Sequence, residues 1–406
     1  MTDPSAPSAS RVLERGRTAV GPDLRETSDA TRFALRLEDL RHGNRIDLLR
    51  DGGEAYPRML DAIARARRFI LLETYMFSDD FVGQRFARAL AAKAREGVDV
   101  RVLYDSLGSR AAPRGFFGWM RSQGIRVQAF HPIRPFLHGL RYRSRNHRKV
   151  LIIDGRLAFV GGLNLSREYA AFEDGGGGWR DTEIELEGPA AAELARVSLD
   201  YWPEERKGHP APILPMVRPA LQEQGSPVMI LGSSRLRDRF KISRNFRFAF
   251  RQARRRIWIA NPYFLPSRSL RGELRRATRR GVDVRLLVPR VSDIPPALYA
   301  SQRLFERYLR WGIRIFEWPG PMMHAKTAVI DTLWSTVGSY NMDPLSLLLN
   351  DELTAVMFNR GFGARLEAMF REDFGACKEL TLDVWRKRGW LRRLAEKICY
   401  IFRLIL

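Results

Sequence analysis

Asn146-His147-Arg148-Lys149-Val150-Leu151-Ile152-Ile153-Asp154-Gly155 runs on through Leu157 to Gly161-Gly162-Leu163-Asn164. The same order returns as His324-Ala325-Lys326, four further residues, Asp331, and then Gly338-Ser339-Tyr340-Asn341. A constant 177 residues separates His147 from His324, Lys149 from Lys326, Asp154 from Asp331 and Asn164 from Asn341. One His-x-Lys can arise by chance. Two in register, each trailed by Asp, Gly and Asn at the same spacing, mean an internal repeat and a site assembled from two halves.

The repetition extends into the scaffold. Gly97-Val98-Asp99-Val100-Arg101 recurs unchanged as Gly281-Val282-Asp283-Val284-Arg285, and Gly124-Ile125-Arg126-Val127 matches Gly312-Ile313-Arg314-Ile315. Apolar spacing predicts helices over 56–67 and 81–96, the second stopped by Gly97, with strands at 69–72, 98–103 and 125–127. The later series predicts helix 246–256, strand 257–259, helix 269–280 stopped by Gly281, and strand 282–287. Alternation of this kind implies an α/β fold: two pseudo-symmetric halves, each a mixed β-sheet flanked by helices, sharing one active site. The halves are expected over 33–202 and 228–376. A Ser-, Pro- and charge-rich disordered tail precedes them at 1–32. A Pro-rich connection joins them at 203–227, and a basic amphipathic segment follows at 377–406. Gly175 to Gly178 are four consecutive glycines, read as part of a flexible surface loop.

Lys and Arg number 69 against 46 Asp and Glu, a formal net charge of +23. That excess favours a polyanionic partner, nucleic acid or an anionic membrane surface, without choosing between them. Apolar residues make up 45% of the chain, ample for a sizeable core. Cys377 and Cys399 are too few for a disulfide framework. The N-terminus has no apolar signal-peptide core, and no uncharged apolar run is long enough to span a bilayer. A soluble or peripheral protein on the cytoplasmic face is therefore expected.

The chemistry follows from the strand period of two, which points His147 and Lys149 to one face and His324 and Lys326 likewise. An imidazole beside an ammonium, twice, suits an anionic phosphodiester. One histidine can attack phosphorus and carry the phosphoryl group covalently. The other can protonate the leaving alkoxide and then deprotonate the incoming alcohol. Lys149, Lys326, Asn164 and Asn341 can donate to the non-bridging oxygens. Each imidazole needs a carboxylate behind it to fix its tautomer, and Asp181 and Glu352 are the downstream candidates. Asp154 and Asp331 occupy turn positions, equally fit to brace strand ends or to join the site. No metal is called for, since a lysine two residues from each histidine repels a cation. A serine hydrolase is poorly supported, for no Gly-x-Ser-x-Gly elbow is present.

Two copies of this His-x-Lys-x4-Asp pattern resemble the phospholipase D superfamily, over about residues 45–375. The resemblance implies a two-step, metal-independent, cofactor-free phosphodiester transfer. The family's catalytic positions fall on His147, Lys149, Asp154, His324, Lys326 and Asp331, with Asn164, Asn341 and Ser339 toward substrate and Asp181 and Glu352 orienting the histidines. Gly162 stands where the second copy has Ser339, so a serine hydroxyl for phosphate would come from the second half alone. The flanks Trp179-Arg180-Asp181-Thr182, Glu187-Gly188-Pro189-Ala190 and Trp334 to Ser346 are similar to bacterial cardiolipin synthases, here of the kind without N-terminal membrane spans. On that resemblance a phosphatidyl group moves from one phosphatidylglycerol to another and glycerol leaves. Phospholipid hydrolysis and nuclease activity are the alternatives, nucleic acid being the weaker candidate partner.

Trp390, Leu391, Leu394, Ile398, Ile401 and Ile405 recur at three- and four-residue steps between Arg386, Lys387, Arg388, Arg392, Arg393, Lys397 and Arg403. Such a basic amphipathic helix can lie in the plane of an anionic membrane, or pack its apolar stripe on the core.

Overall fold

The computed structural model describes residues 32–132, 144–199, 202, 225–233 and 238–404. The tail expected before residue 32 and nearly all of the Pro-rich connection lie outside the described residues. The first half contributes strands β1 (Leu40–Arg50), β2 (Phe69–Thr74), β3 (Asp99–Asp105), β4 (Arg126–Phe130), β5 (Val150–Ile153), β6 (Leu157–Gly161) and β7 (Thr182–Glu187). The second contributes β8 (Ser226–Gly232), β9 (Arg256–Ala260), β10 (Asp283–Pro289), β11 (Arg314–Trp318), β12 (Thr327–Ile330), β13 (Trp334–Gly338), β14 (Leu353–Phe358) and a short edge strand, β15 (Lys378–Leu380).

These strands form one sheet in the order β15-β11-β10-β9-β12-β13-β14-β8-β1-β7-β6-β5-β2-β3-β4. Read outward from the antiparallel β8–β1 pair, the two directions match strand for strand until β15. That is the pseudo-two-fold implied by the repeat. β2, β3 and β4 run parallel, as do β9, β10 and β11. Parallel neighbours need crossovers, supplied by the helices Phe81–Arg95 and Arg114–Ser122 in the first half. Helices Arg268–Arg279, Pro295–Gln302 and Phe305–Arg310 serve in the second. β2 is buried at all six positions, which explains its unbroken apolar reading Phe69-Ile70-Leu71-Leu72. The repeated Asp-x-Arg triplet has one purpose in both copies: Arg101 pairs with Asp99 at 2.8 Å and Arg285 with Asp283 at 2.9 Å.

Each half packs its crossover helices on its own part of the sheet, giving two separate apolar clusters. A third cluster lies between the halves. It joins Ile152, Val160 and Ile184 of the first to Val329, Val337 and Ala355 of the second, with the helices Pro189–Leu199 and Arg360–Ala376. Neither half can bury that face alone.

Two sequence expectations need correcting. Helix 246–256 is Lys241–Gln252, because the Arg254, Arg255 and Arg256 amides are held by Asp331 and cannot continue a helix. The glycine-rich loop is ordered by backbone bonds. Gly176 N donates to Ala171 O, Gly177 N to Arg167 O, Gly178 N to Ala170 O and Trp179 N to Glu168 O, each at 2.9 Å. Gly178 takes a positive φ of 61°, and a Cβ there would overlap the Phe172 ring.

The C-terminal helix Trp390–Ile401 packs on Pro295–Gln302, with Arg392 reaching Gln302 at 3.1 Å and buried Glu396 held by Arg388 at 2.8 Å. It docks by this polar side and by half-buried Cys399 and Tyr400. The apolar stripe is turned outward: Trp390 is 72% exposed, Leu391 64% and Ile401 61%, with Leu394 and Ile398 also exposed. Core packing therefore does not account for the stripe. Ile405 lies outside the described residues. No helix among the described residues is long and apolar enough to cross a membrane.

Candidate active site

His147 and Lys149 lead into β5, and His324 and Lys326 into β12, where the halves cross. Asn146 bridges to Asp351 of the second half, and Met323 to Arg180 of the first. His147 N donates to Asp351 O at 3.0 Å, and His324 N to Arg180 O at 2.7 Å. Each histidine thus hangs on the chain of the opposite half, and the next residue along that chain is the acid. His147 Nδ1 lies 3.0 Å from both Glu352 carboxylate oxygens. His324 Nδ1 lies 2.8 Å from Asp181 Oδ2. The acids named from the sequence are therefore brought to the histidines, in crossed pairs: each acid serves the histidine of the other half.

Both histidines, both lysines and both acids are buried. Burial, then the charges of Lys149, Lys326 and His324, pushes the His147 imidazole well below its ordinary range, so it is neutral at physiological pH. Burial and Lys326 lower His324, opposed by its bond to Asp181. Burial lowers Lys149 to about 7, helped by Lys326, and Lys326 to about 8. Burial lifts Glu352 to about 7, against the pull of Lys149. Asp181 goes the other way, because Lys326 and the His324 bond outweigh its burial. These mutual influences mark one site containing both dyads.

The acids are held differently. Glu352 accepts from Ser346 Oγ at 2.6 Å and from Ser339 Oγ, whose oxygen in turn accepts from Leu353 N at 3.0 Å. Asp181 Oδ1 accepts from Thr182 N at 2.7 Å and presses on Gly162, where any Cβ would overlap the carboxylate. That is why the first copy has glycine where the second has Ser339. The expectation that Ser339 offers its hydroxyl to phosphate is corrected: the hydroxyl is spent on Glu352.

Asn164 is also engaged, Oδ1 accepting from Met76 N at 3.1 Å and Nδ2 donating to Tyr169 OH at 2.6 Å. Asn341 is buried, and its Oδ1 has no hydrogen-bond partner among the described residues. An unpartnered amide oxygen cannot bind a phosphate oxygen, so Asn341 would meet one only through its Nδ2 donor.

Asp154 and Asp331 are not in the site. Both sit at the far ends of β5 and β12, about 16 Å along the strand from the lysines. Asp154 accepts from the amides of Arg67, Arg68 and Phe69 at 3.1, 2.8 and 2.9 Å. Asp331 accepts from those of Arg254, Arg255 and Arg256 at 2.9, 2.7 and 3.0 Å. Both adopt positive φ, 54° and 51°, at the turn. They fasten that turn to the start of β2 and β9, which is the bracing role the sequence left open beside the catalytic one.

Two neighbours escaped the sequence reading. Tyr169 OH approaches His324 Nδ1 at 3.3 Å, and Ser346 touches Glu352. They stand five residues after Asn164 and Asn341, so the 177-residue displacement holds for them too and was the available signal. Arg180, buried, is clamped by Asp373 at 2.8 Å and Asp51 at 3.1 Å, which fixes the chain that carries Asp181. The ordered glycine loop delivers the same segment.

Comparison with known proteins agrees with this architecture. Residues 59–174 and 247–374 match the family described as cardiolipin synthase, PLD-like domain. Cardiolipin synthase A of Pseudomonas putida strain F1 is 34% identical over 364 residues, covering 89% of this chain and 75% of that protein. Cardiolipin synthase A of Pseudomonas aeruginosa strain LESB58 is 34% identical over 363 residues, covering 89% and 74%. Among solved structures, phosphatidylserine synthase of Haemophilus influenzae Rd KW20 superposes with a TM-score of 0.69 at 14% identity, covering 94% of this chain and 99% of that one. At that identity the likeness speaks for the fold.

Proposed function

Because the chain belongs to the cardiolipin synthase family of phospholipase D-like proteins, we propose that it is a phosphatidyltransferase that makes cardiolipin from two molecules of phosphatidylglycerol. The observation that carries this reading is the crossed pairing of two buried His–carboxylate dyads with a lysine beside each.

His147 is the nucleophile. Its Nδ1–H donates to Glu352, which leaves the Nε2 lone pair for phosphorus. The Nε2–P bond forms as the P–O bond to glycerol breaks, and His324 Nε2–H gives its proton to the leaving oxygen. Asp181 stabilises the His324 imidazolium that this role requires. In the second step a hydroxyl of another phosphatidylglycerol loses its proton to His324 and attacks phosphorus, and the N–P bond breaks. Lys149, Lys326 and Asn341 donate to the non-bridging oxygens as charge gathers there. The membrane is the working surface. The outward apolar stripe of Trp390–Ile401, flanked by arginines, supports peripheral docking on anionic lipid.

The test is to incubate the protein with phosphatidylglycerol vesicles without divalent metal and identify the products by mass spectrometry. Cardiolipin and glycerol are expected, abolished by His147→Ala and by His324→Ala. Phosphatidic acid instead would make water the acceptor and the enzyme a hydrolase.

A further inference from the structure

A cleft of about 200 Å³ opens where the end of the C-terminal helix meets Arg268–Arg279 and the short helix Pro344–Leu348. Its lining has two chemistries. Arg268, Arg271 and Arg403 bring three guanidinium groups, and Leu347, Leu348 and Leu404 bring apolar wall. Among the described residues, no aspartate or glutamate lines it. Tyr400 orients two of the arginines: Arg271 Nη1 donates to its hydroxyl at 3.3 Å, and Arg403 Nη1 to its carbonyl at 2.9 Å. The Arg403 guanidinium also stands 4.5 Å from the Tyr400 ring centre. Each guanidinium has five N–H donors, so these contacts leave donors to spare. Like charges gathered without a carboxylate repel one another, and a phosphate offsets that cost with charge-assisted bonds. Leu348 and Leu404 are exposed at the rim, continuing the apolar stripe of the helix.

We propose that this cleft binds the phosphate of an anionic phospholipid at a second place, apart from the catalytic histidines, with its acyl chains running over Leu348 and Leu404 into the bilayer. The proposal rests on the reading that the enzyme works at a membrane surface. It adds a defined headgroup site to what the outward stripe alone would make a diffuse attachment. The cleft also adjoins the chemistry. The helix that carries Leu347 and Leu348 carries Ser346, whose hydroxyl holds Glu352. A lipid seated there therefore rests on the element that positions the His147 dyad.

The test uses the full chain and sedimentation with vesicles of phosphatidylcholine, with and without phosphatidylglycerol. Arg268→Gln/Arg271→Gln/Arg403→Gln should weaken binding to the anionic vesicles by about tenfold or more. It should leave turnover of monomeric short-chain phosphatidylglycerol within about twofold. Leu348→Ser/Leu404→Ser keeps the charge and removes exposed apolar groups, so it should weaken binding by about fivefold without disturbing the fold. Arg85→Gln/Arg88→Gln/Arg110→Gln removes equal charge from exposed positions of the first half and should cost less than about threefold. Unchanged binding by the cleft variants, or an equal loss from the control triple, would overturn the site in favour of diffuse charge. Release of the wild type from vesicles by millimolar inorganic phosphate, at constant ionic strength, would reassign the cleft to free phosphate. A wild type that binds with this discrimination yet turns over no phospholipid would sink the enzymatic reading and leave the site standing.

Discussion

Gly162 and Ser339 occupy the same place in the two copies and cannot be exchanged. Asp181 lies against Gly162, so Gly162→Ser must push the carboxylate off His324 Nδ1. We expect kcat to fall by about 10²–10⁴, as when a dyad loses its acid, with little change in thermal stability. Ser339→Gly removes one of two hydroxyls from Glu352 and leaves Ser346, so the loss should be only about tenfold. Equal losses in the two variants would refute this account of the asymmetry. The titrating groups make a second claim. Phosphate capture needs both ammonium groups, and burial has brought them to about 7 and about 8. Raising the pH through that range removes their protons, so kcat/KM falls on the alkaline side. Glu352, raised to about 7, must be ionised to accept from His147, so lowering the pH through that value also costs activity. Because Glu352 and Lys149 both titrate at about 7, the profile should be a narrow bell centred near neutrality, and a flat profile there would contradict the assignment.

At the scale of elements, the repeated Asp ends a strand, and substitution should tell this from a catalytic role. Asp154→Asn gives up an acceptor for the Arg67, Arg68 and Phe69 amides. Stability in urea should fall by about 1–3 kcal/mol while the folded enzyme keeps its kcat. A catalytic aspartate would show the reverse. Much of the scaffold was legible beforehand, because strand alternation, glycine helix stops and the 177-residue displacement are local signals. β2, β3, β9 and β10 fall within a residue or two of their expected bounds. Bracing was one of two roles the turn position of Asp154 allowed, but which amides it would hold was not legible, since they lie 85 to 87 residues away in sequence. Helix Lys241–Gln252 was misplaced for the same reason: its end is set by Asp331, a distant acceptor. The glycine loop was misread because composition reports the freedom of a chain and not the bonds it makes. Here four consecutive amides are satisfied and the glycines allow close packing.

At the scale of the whole molecule, the site is divided so that neither half holds a working dyad. The motif showed that two histidines would meet. It did not show that Glu352 would serve His147 and Asp181 would serve His324, because that depends on how the halves dock. Docking also buries the apolar face shared by the helices Pro189–Leu199 and Arg360–Ala376, and it pairs β1 with β8. A fragment of residues 33–202 would keep His147 and lose Glu352. It would also expose the inner face and the β1 edge to water, both hazards for aggregation. Fragments 33–202 and 225–404, made separately, should therefore be poorly soluble and without turnover. Refolded together, they should recover activity that saturates at equal amounts. Glu352→Gln in the second fragment should then disable the first fragment's His147, lowering the recovered rate by about 10²–10⁴ without reducing assembly. Turnover by either fragment alone would mean that one half carries a complete dyad, and the crossed arrangement would be wrong.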